Sequence, residues 1–176
     1  GLTPSSSVLA AYAEVLRRWS RQPGFTLNVT VLNRPAVHPQ IRGIVGDFTS
    51  VELLAVPADE GGPFRRRAAA VQARLFEDLD HGLCSGLEVL RELRKRRADG
   101  LAILPCVFTS SIGLRGESLP AGTGLGRLVG GISQTPQVWL DCQVMEGGDG
   151  LAFNWDVRQG IFRDGVAEAM FGAFTR

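Results

Sequence analysis

The chain has few cysteines and no long hydrophobic run. Its 176 residues include 3 cysteines, none in a C-x-x-C spacing, so the sequence predicts reduced thiols rather than a disulfide or a zinc site. No apolar stretch approaches the roughly 18 residues of a membrane span, and none has the pattern of a signal peptide. These absences predict a protein without a membrane span in a cytosolic, reducing setting. The cysteines are Cys84, Cys106 and Cys142.

An excess of charge of one sign is also missing. The chain has 19 Lys and Arg residues against 18 Asp and Glu residues, a formal net charge of +1. This balance argues against a general nucleic-acid binder. The basic runs at 65–67 and 94–97 fall within or at the ends of helical patterns, so we interpret them as solvated helix faces and dipole complements. Hydrophobic residues make up 44% of the chain, enough for one domain with a substantial core.

Start signals and apolar spacing predict the helices. The first helix follows Thr3 as its N-cap, with a proline at its first position. A second, amphipathic helix covers residues 64–82. Ser85, with Glu88 three residues later, forms a capping box that opens a third helix. A closing helix begins at about Gly165.

Alternation of apolar and polar residues predicts the strands. In "FTLNVTVLN", residues 25–33, apolar side chains occupy one face, and Thr26, Asn28 and Thr30 occupy the other. Further strands are predicted at about 48–56, 101–110, 132–144 and 151–157. The order of elements, with no internal linker, predicts one layered α/β sandwich over residues 1–176.

The predicted strand "ISQTPQVWLDCQV" has an unusual second face. One face is an ordinary core row of Val138, Leu140, Cys142 and Val144. The other face carries an acid between amides and an indole, namely Gln137, Trp139, Asp141 and Gln143.

Hydroxyl groups end the strand that precedes this one. Thr109, Ser110 and Ser111 terminate the apolar run "LAILPCVF", so pairing of the two strands would bring hydroxyls and the Asp141 carboxylate over one cavity. A carboxylate beside an indole in a partly desolvated site has a raised proton affinity, which suits acid/base chemistry. The alternative is a structural hydrogen-bond network in which Asp141 ties down a loop.

Other patterns are weaker indications of a site. "GTGLGRLVGG" has a dinucleotide-like glycine spacing but does not join a strand to a clear helix, so a loop is favoured. Asp78, Asp80 and His81 lie at a helix end, where solvation and capping explain them better than metal binding. Ser110 with His81 would need a G-x-S-x-G elbow to suggest a hydrolase, and no serine has one.

Four segments together resemble the heterocyclization domains of nonribosomal peptide synthetases. They are, in order, "FTLNVTVLNRPAVHPQIRGIVGDFTSVELL", "PCVFTSSIG", "GISQTPQVWLDCQV" and "FNWDVRQGIFRDGVAEAMFGAF". The resemblance implies a chloramphenicol-acetyltransferase-like fold, in which two similar lobes form a tunnel. The D-x-x-x-x-D motif of the family's N-terminal lobe and the paired-histidine motif of ordinary condensation domains do not occur here. The resemblance therefore implies the C-terminal lobe alone, beginning just before its first helix.

This resemblance also implies a reaction and its residues. Enzymes of the family join a carrier-bound acyl group to the amine of carrier-bound Cys, Ser or Thr, then close the side chain onto the new amide and expel water, giving a thiazoline or oxazoline. The threonine and aspartate of ring closure correspond to Thr109 and Asp141. Asn28 and Ser110 resemble positions linked to heterocyclization. The substrate amide would be oriented by Gln134 and Gln137, whereas Asp47 in "GDFTS" would be structural.

No metal or redox cofactor is implied, because the phosphopantetheine arms belong to the carrier proteins. Implied partners are the N-terminal lobe of the same domain, peptidyl or aryl carrier proteins and an adjacent adenylation domain, with no nucleic acid or membrane. A lobe alone would be catalytically incomplete and could self-associate through exposed apolar surface. Two alternatives stay open: a docking lobe that binds a carrier or its partner lobe, and a condensation-type acyltransferase that never cyclises. Retention of Thr109 and Asp141 argues against the last.

Overall fold

A computed structural model describes residues 1–58, 61–96, 103–113, 135–147 and 150–176. Their strands form one five-stranded sheet in the order β2-β1-β3-β4-β5. The inner pairs β1–β3 and β3–β4 are parallel, and the outer pairs β1–β2 and β4–β5 are antiparallel. The strands are β1 Phe25–Leu32, β2 Thr49–Val56, β3 Cys106–Ser110, β4 Leu140–Gly147 and β5 Gly150–Val157.

The first and third helices start where their capping residues predict. Thr3 accepts a hydrogen bond from the Ser6 backbone N–H at 3.1 Å and so caps the first helix. At the third helix, the Ser85 N–H donates to Glu88 at 2.8 Å, and the Glu88 N–H donates to the Ser85 hydroxyl at 3.4 Å, which confirms the capping box. The helices are α1 Pro4–Trp19, α2 Phe64–Asp80, α3 Gly86–Arg96 and α4 Val166–Phe174.

The core lies between one face of the sheet and the helices α1, α2 and α4. Tyr12 of α1 is fully buried, and its ring packs 6.1 Å from Phe108 of β3 and 5.5 Å from Trp155 of β5. An ion pair between Arg67 and Glu14, with Nε and Oε1 2.9 Å apart, joins α2 to α1. Arg67 is thus a bridge between helices, not only part of the predicted solvated face. Because strand side chains alternate, the residues between the core positions point to the other side of the sheet.

Helix α3 packs against β2 on that other side. Gly86, its first residue, lies so close to β2 that an added Cβ would come within 2.5 Å of the Val51 carbonyl oxygen and 3.0 Å of Leu53 Cγ. At its other end, Arg94 donates to the Gln137 side-chain oxygen at 3.5 Å. Helix α3 therefore flanks the sheet face opposite to the core.

Two strands begin later than predicted. The strand expected at 132–144 starts only at Leu140, because Pro136 and Gln137 form a turn in which Gln137 has φ 70°. Gln137 and Trp139 therefore do not share a strand face with Asp141. The strand expected at 101–110 starts at Cys106. The glycine-rich loop predicted in "RGESLPAGTGLGRLVGG", residues 115–131, lies outside the described residues.

In the described part of the chain, no helix is long and apolar enough to cross a membrane, and no group of His, Cys, Asp and Glu is arranged to hold a metal ion. The cysteines are free thiols. Cys142 is buried, Cys106 is half-buried and Cys84 is exposed.

Candidate active site

Polar side chains from four strands form one continuous surface on the sheet face opposite to the core. Register places them in two neighbouring rows, because residues paired across strands point to the same side. The first row is Thr30, Thr109, Gln143 and Asn154, and the second is Asn28, Val107, Asp141 and Asp156. We call the polar members of these rows the polar face.

A chain of hydroxyls leads to Asp141. The Thr109 hydroxyl donates to Asp141 Oδ1 at 3.4 Å, so its oxygen is free to accept from Thr30, whose hydroxyl oxygen lies 2.9 Å away. The direction of donation is therefore Thr30 to Thr109 to Asp141. The last distance is long for a hydrogen bond between a hydroxyl and a carboxylate, so Thr109 holds this oxygen of Asp141 only weakly.

The second oxygen of Asp141 is held by an amide. Gln143 Nε2 donates to Asp141 Oδ2 at 3.0 Å and to Asp156 Oδ2 at 3.1 Å. Asn154 Nδ2 donates to the other oxygen of Asp156 at 3.0 Å. Two carboxylates are thus joined through one amide, and each has a further donor of its own.

Burial raises the pKa of Asp141 above its ordinary value. The residue is 9% exposed, and loss of water is the main cause of the shift, with the negative charge of Asp156 acting in the same direction. Hydrogen bonds from Gln143 and Thr109 oppose the shift but do not cancel it. A carboxyl with raised pKa can give and take a proton closer to neutral pH than an ordinary aspartate.

An open depression of about 790 Å³ reaches this carboxyl. Asp141 and Asp156 line it from the sheet, residues 135–138 form one side, and Arg158 and Gln159 lie at the end of β5. Space for a bound group and a titratable carboxyl therefore occur together.

The other predicted site residues lie in different places. Asn28 shares a row with Asp141, and its Nδ2 donates to the Leu104 carbonyl at 2.6 Å. Its side-chain oxygen is buried and has no hydrogen-bond partner among the described residues. Gln137 is exposed and lines the depression. Ser110 is on the opposite face, with its hydroxyl 3.0 Å from that of Ser5 in α1, so it is not brought together with Asp141. Gln134 lies outside the described residues.

Some members of the polar face had no predicted role. Thr30, Asn154 and Asp156 were not among the predicted site residues, and Gln143 was placed on the face without a function. The signal for β5 is present in "LAFNWDV", where Phe153, Trp155 and Val157 alternate with polar residues. What the alternation does not give is the register that sets Asp156 opposite Asp141.

No protein-family model matches the chain. Curated proteins of similar sequence and similar solved structures nevertheless all belong to one class of protein. Pyochelin synthetase PchF of Pseudomonas aeruginosa is 49% identical over 175 residues, and phenyloxazoline synthase MbtB of Mycobacterium tuberculosis is 44% identical over 172 residues. These alignments cover 99% and 97% of this chain but 10% and 12% of the relatives. The chain therefore spans about a tenth of the length of the curated relatives it matches.

Similar solved structures belong to the same class of protein as these relatives. The nonribosomal peptide synthetase FmoA3 superposes with a TM-score of 0.90 at 43% identity, covering 99% of this chain and 18% of that one. The cyclization-docking bidomain of EpoB from Sorangium cellulosum superposes with a TM-score of 0.75 at 35% identity, covering 99% and 35%. Fold and site therefore define part of a condensation-type domain of a nonribosomal peptide synthetase. Within that class, the chain is a segment of the heterocyclization type, as its motifs predict.

Proposed function

We propose that residues 1–176 form the C-terminal lobe of a heterocyclization domain whose N-terminal lobe completes the reaction tunnel. The whole domain condenses a carrier-bound acyl group with carrier-bound Cys, Ser or Thr and closes the product to a thiazoline or oxazoline. The relatives named above are a pyochelin synthetase and a phenyloxazoline synthase, and the second name specifies an oxazoline product. The lobe alone is inactive, because the substrate lies between the two lobes.

Ring closure moves two protons to the departing oxygen, one from the nucleophile and one from the amide nitrogen, and Asp141 is the residue proposed to carry them. The side-chain thiol or hydroxyl attacks the new amide carbonyl carbon, and its proton passes to the Asp141 carboxylate. The former carbonyl oxygen takes that proton from the Asp141 carboxylic acid and becomes a hydroxyl. As the C=N bond forms, the nitrogen proton passes to the regenerated Asp141 carboxylate and from it to the departing hydroxyl, which leaves as water. Thr109 orients the carboxyl or holds the departing oxygen.

One observation carries this assignment: the hydrogen-bonded chain Thr30, Thr109, Asp141 ends at a buried carboxyl of raised pKa that lines an open depression. A purely structural carboxylate would gain more from full ionisation and from shorter hydrogen bonds. Asn28, in the same row, and Gln137, at the rim, are proposed to orient the substrate amide, together with Gln134. Ser110 faces α1, so an effect on substrate would be indirect.

The proposed partners follow from the substrates. Peptidyl or aryl carrier proteins bring both acyl groups on their own phosphopantetheine arms, so this chain binds no cofactor for the reaction. An adenylation domain adjacent to the lobe loads the amino acid. We propose that this assembly works in the cytoplasm.

A mass measurement tests the assignment. In the complete domain with both loaded carriers, Asp141→Asn is expected to accumulate the uncyclised amide, one water heavier than the ring, with ring closure slowed by about 10²–10⁴-fold. Condensation should continue, because it relies mainly on positioning. Asp164→Asn is the matched control, since Asp164 is exposed and lies outside the polar face. Ring formation by Asp141→Asn at the wild-type rate would overturn the assignment.

A docking role is the second candidate, and exposed apolar side chains between β1 and β2 favour it. Val37 is 78% exposed and Val45 is 100% exposed, which suits a surface covered by a partner lobe or by a second copy of this one. Carrier binding with no product of either mass would support docking alone. A product with the amide but never the ring, in the wild type, would instead indicate a condensation-only acyltransferase.

A further inference from the structure

The second carboxylate of the polar face has no part in the reaction described so far. Asp156 of β5 is paired directly with Asp141 of β4 and points to the same side of the sheet. Both carboxylates line the same depression. Like charges on paired positions repel each other, so a structural purpose alone does not account for this arrangement.

Gln143 couples the two carboxylates. Its Nε2 carries two hydrogens, and the distances of 3.0 Å to Asp141 and 3.1 Å to Asp156 assign one hydrogen to each. This arrangement fixes which way the Gln143 amide is turned, because only the nitrogen can donate to both acids. Asn154 in turn holds Asp156 at 3.0 Å. A change at Asp156 is therefore transmitted to Asp141 through one amide.

We propose that Asp156 is a positioning residue for ring closure, which holds the Gln143 amide against Asp141 and supplies the negative charge beside it. This inference rests on the proposed acid/base function of Asp141. Asp156 is connected to Asp141 through Gln143 and does not contact the reacting atoms. No proton transfer is therefore assigned to Asp156.

Two neighbouring groups change the pKa of Asp141 in opposite directions. The charge of Asp156 disfavours the ionised form of Asp141, whereas the Gln143 hydrogen bond favours it. Other groups surround the carboxyl on each side. Arg158 lines the same depression, and Tyr12 and Cys142 lie on the core side, where burial raises the pKa of both. The last two are therefore neutral, and the remaining anion next to Asp141 among the described groups is Asp156.

The opposition between charge and hydrogen bond gives a test that structural damage cannot imitate. The rate of ring closure is measured against pH in the complete domain with loaded carriers. Asp156→Asn removes the neighbouring charge but keeps a side-chain oxygen that accepts from Gln143, so the part of the profile that Asp141 controls should move to lower pH. Gln143→Met keeps the volume but removes the hydrogen bond, so the same part should move to higher pH. Asp164→Asn is the control and should leave the profile in place.

The outcomes separate this inference from the proposed function. Opposite displacements of the ring-closure profile in the two variants support the role of Asp156. If Asp141→Asn loses ring closure while Asp156→Asn and Gln143→Met keep the wild-type profile, the role of Asp156 is wrong and the function of Asp141 stands. If both variants move the profile the same way, the coupling through Gln143 is wrong. If Asp141→Asn closes the ring normally, the proposed function fails and this inference fails with it.

Discussion

The carboxyl of Asp141 is buried where an amide would be easier to accommodate. Burial opposes its ionisation, and the nearby Asp156 adds to that opposition. Residues held in such unfavourable environments are characteristic of sites where activity, not stability, determines the side chain. The stability of the fold and its activity should therefore respond in opposite directions when this residue is replaced.

Asp141→Asn is expected to raise the free energy of unfolding at neutral pH. The pKa of Asp141 is higher in the folded state than its ordinary value of 3.8, so the folded chain loses stability as pH rises from that value through the raised one. The asparagine variant lacks this loss, and the two proteins should converge in acid. Urea unfolding at several pH values measures the difference, with Asp164→Asn as control. A less stable variant at neutral pH would contradict the argument.

Two adjacent hydroxyls provide a matched comparison. Thr109 faces Asp141, whereas Ser110 faces Ser5 of α1. Thr109→Val should slow ring closure by up to about tenfold, because a hydrogen bond to a charged group contributes roughly 1.5–3 kcal/mol, the 3.4 Å contact is at the weak end, and about 1.4 kcal/mol corresponds to tenfold. Ser110→Ala should leave ring closure near the wild-type rate. Single-turnover product analysis measures both, and equal effects in the two variants would argue against a special role for Thr109.

Among the elements, the sequence predicts the first helix and the first strand well and the fourth strand less well. Thr3 and the alternation of residues 25–33 give α1 and both faces of β1. At β4 the alternation continues past the true start, because Pro136 and the turn at Gln137 interrupt the backbone without interrupting the apolar pattern. Local pattern cannot report that interruption.

Some residues of the candidate site are predicted from the sequence and others are not. Thr109 and Asp141 are predicted through the resemblance, and the structure brings their side chains together. Alternation within β3 already requires that Thr109 and Ser110 point to opposite faces. The pairing of Asp156 with Asp141 depends on the register between β4 and β5, which is set by the turn between these strands and by core packing, not by any short run of residues.

The contact between α3 and β2 depends on the absence of a side chain at Gly86. A Cβ there would meet the Val51 carbonyl oxygen at 2.5 Å, so Gly86→Ala should lower the free energy of unfolding by about 1–3 kcal/mol through overpacking. Gly172→Ala is the matched control, because a Cβ at that α4 position meets nothing within 4 Å and alanine is the better helix former. Urea unfolding of both variants measures the contrast. Equal stability would mean that α3 shifts freely on β2.

Across the whole molecule, buried acids make stability depend on pH. Glu52 is 7% exposed, and its pKa is raised, first by burial and then by the charge of Asp78. Like Asp141, Glu52 makes the folded state less stable as pH rises through its raised pKa. It lies on β2, at the opposite edge of the sheet. Asp47 and Glu88 act in the opposite direction, because hydrogen bonds lower their pKa values, but both are at the surface, where such effects are screened.

Glu52→Gln should stabilise the molecule at neutral pH and flatten its loss of stability as pH rises above the ordinary glutamate value of 4.5. The sign follows because the folded state binds a proton more tightly at Glu52 than the unfolded state does. Glu77→Gln on α2 is the control, since that side chain is 63% exposed. Thermal unfolding of the three proteins between acid and neutral pH measures the effect. A parallel pH dependence in Glu52→Gln and wild type would contradict it.

The parallel pairing of β1, β3 and β4 determines when the side chains of Thr109 and Asp141 can first meet. The hydroxyl contact between Thr30 and Thr109 spans 79 residues, and the contact between Thr109 and Asp141 spans 32. Such distant contacts form slowly, and a chain that emerges from the ribosome N-terminus first delivers Asp141 after both threonines and Asp156 last of all. A partly synthesised chain therefore contains both threonines before it contains Asp141, and the contact between Thr109 and Asp141 can form only when the fourth strand has joined the sheet.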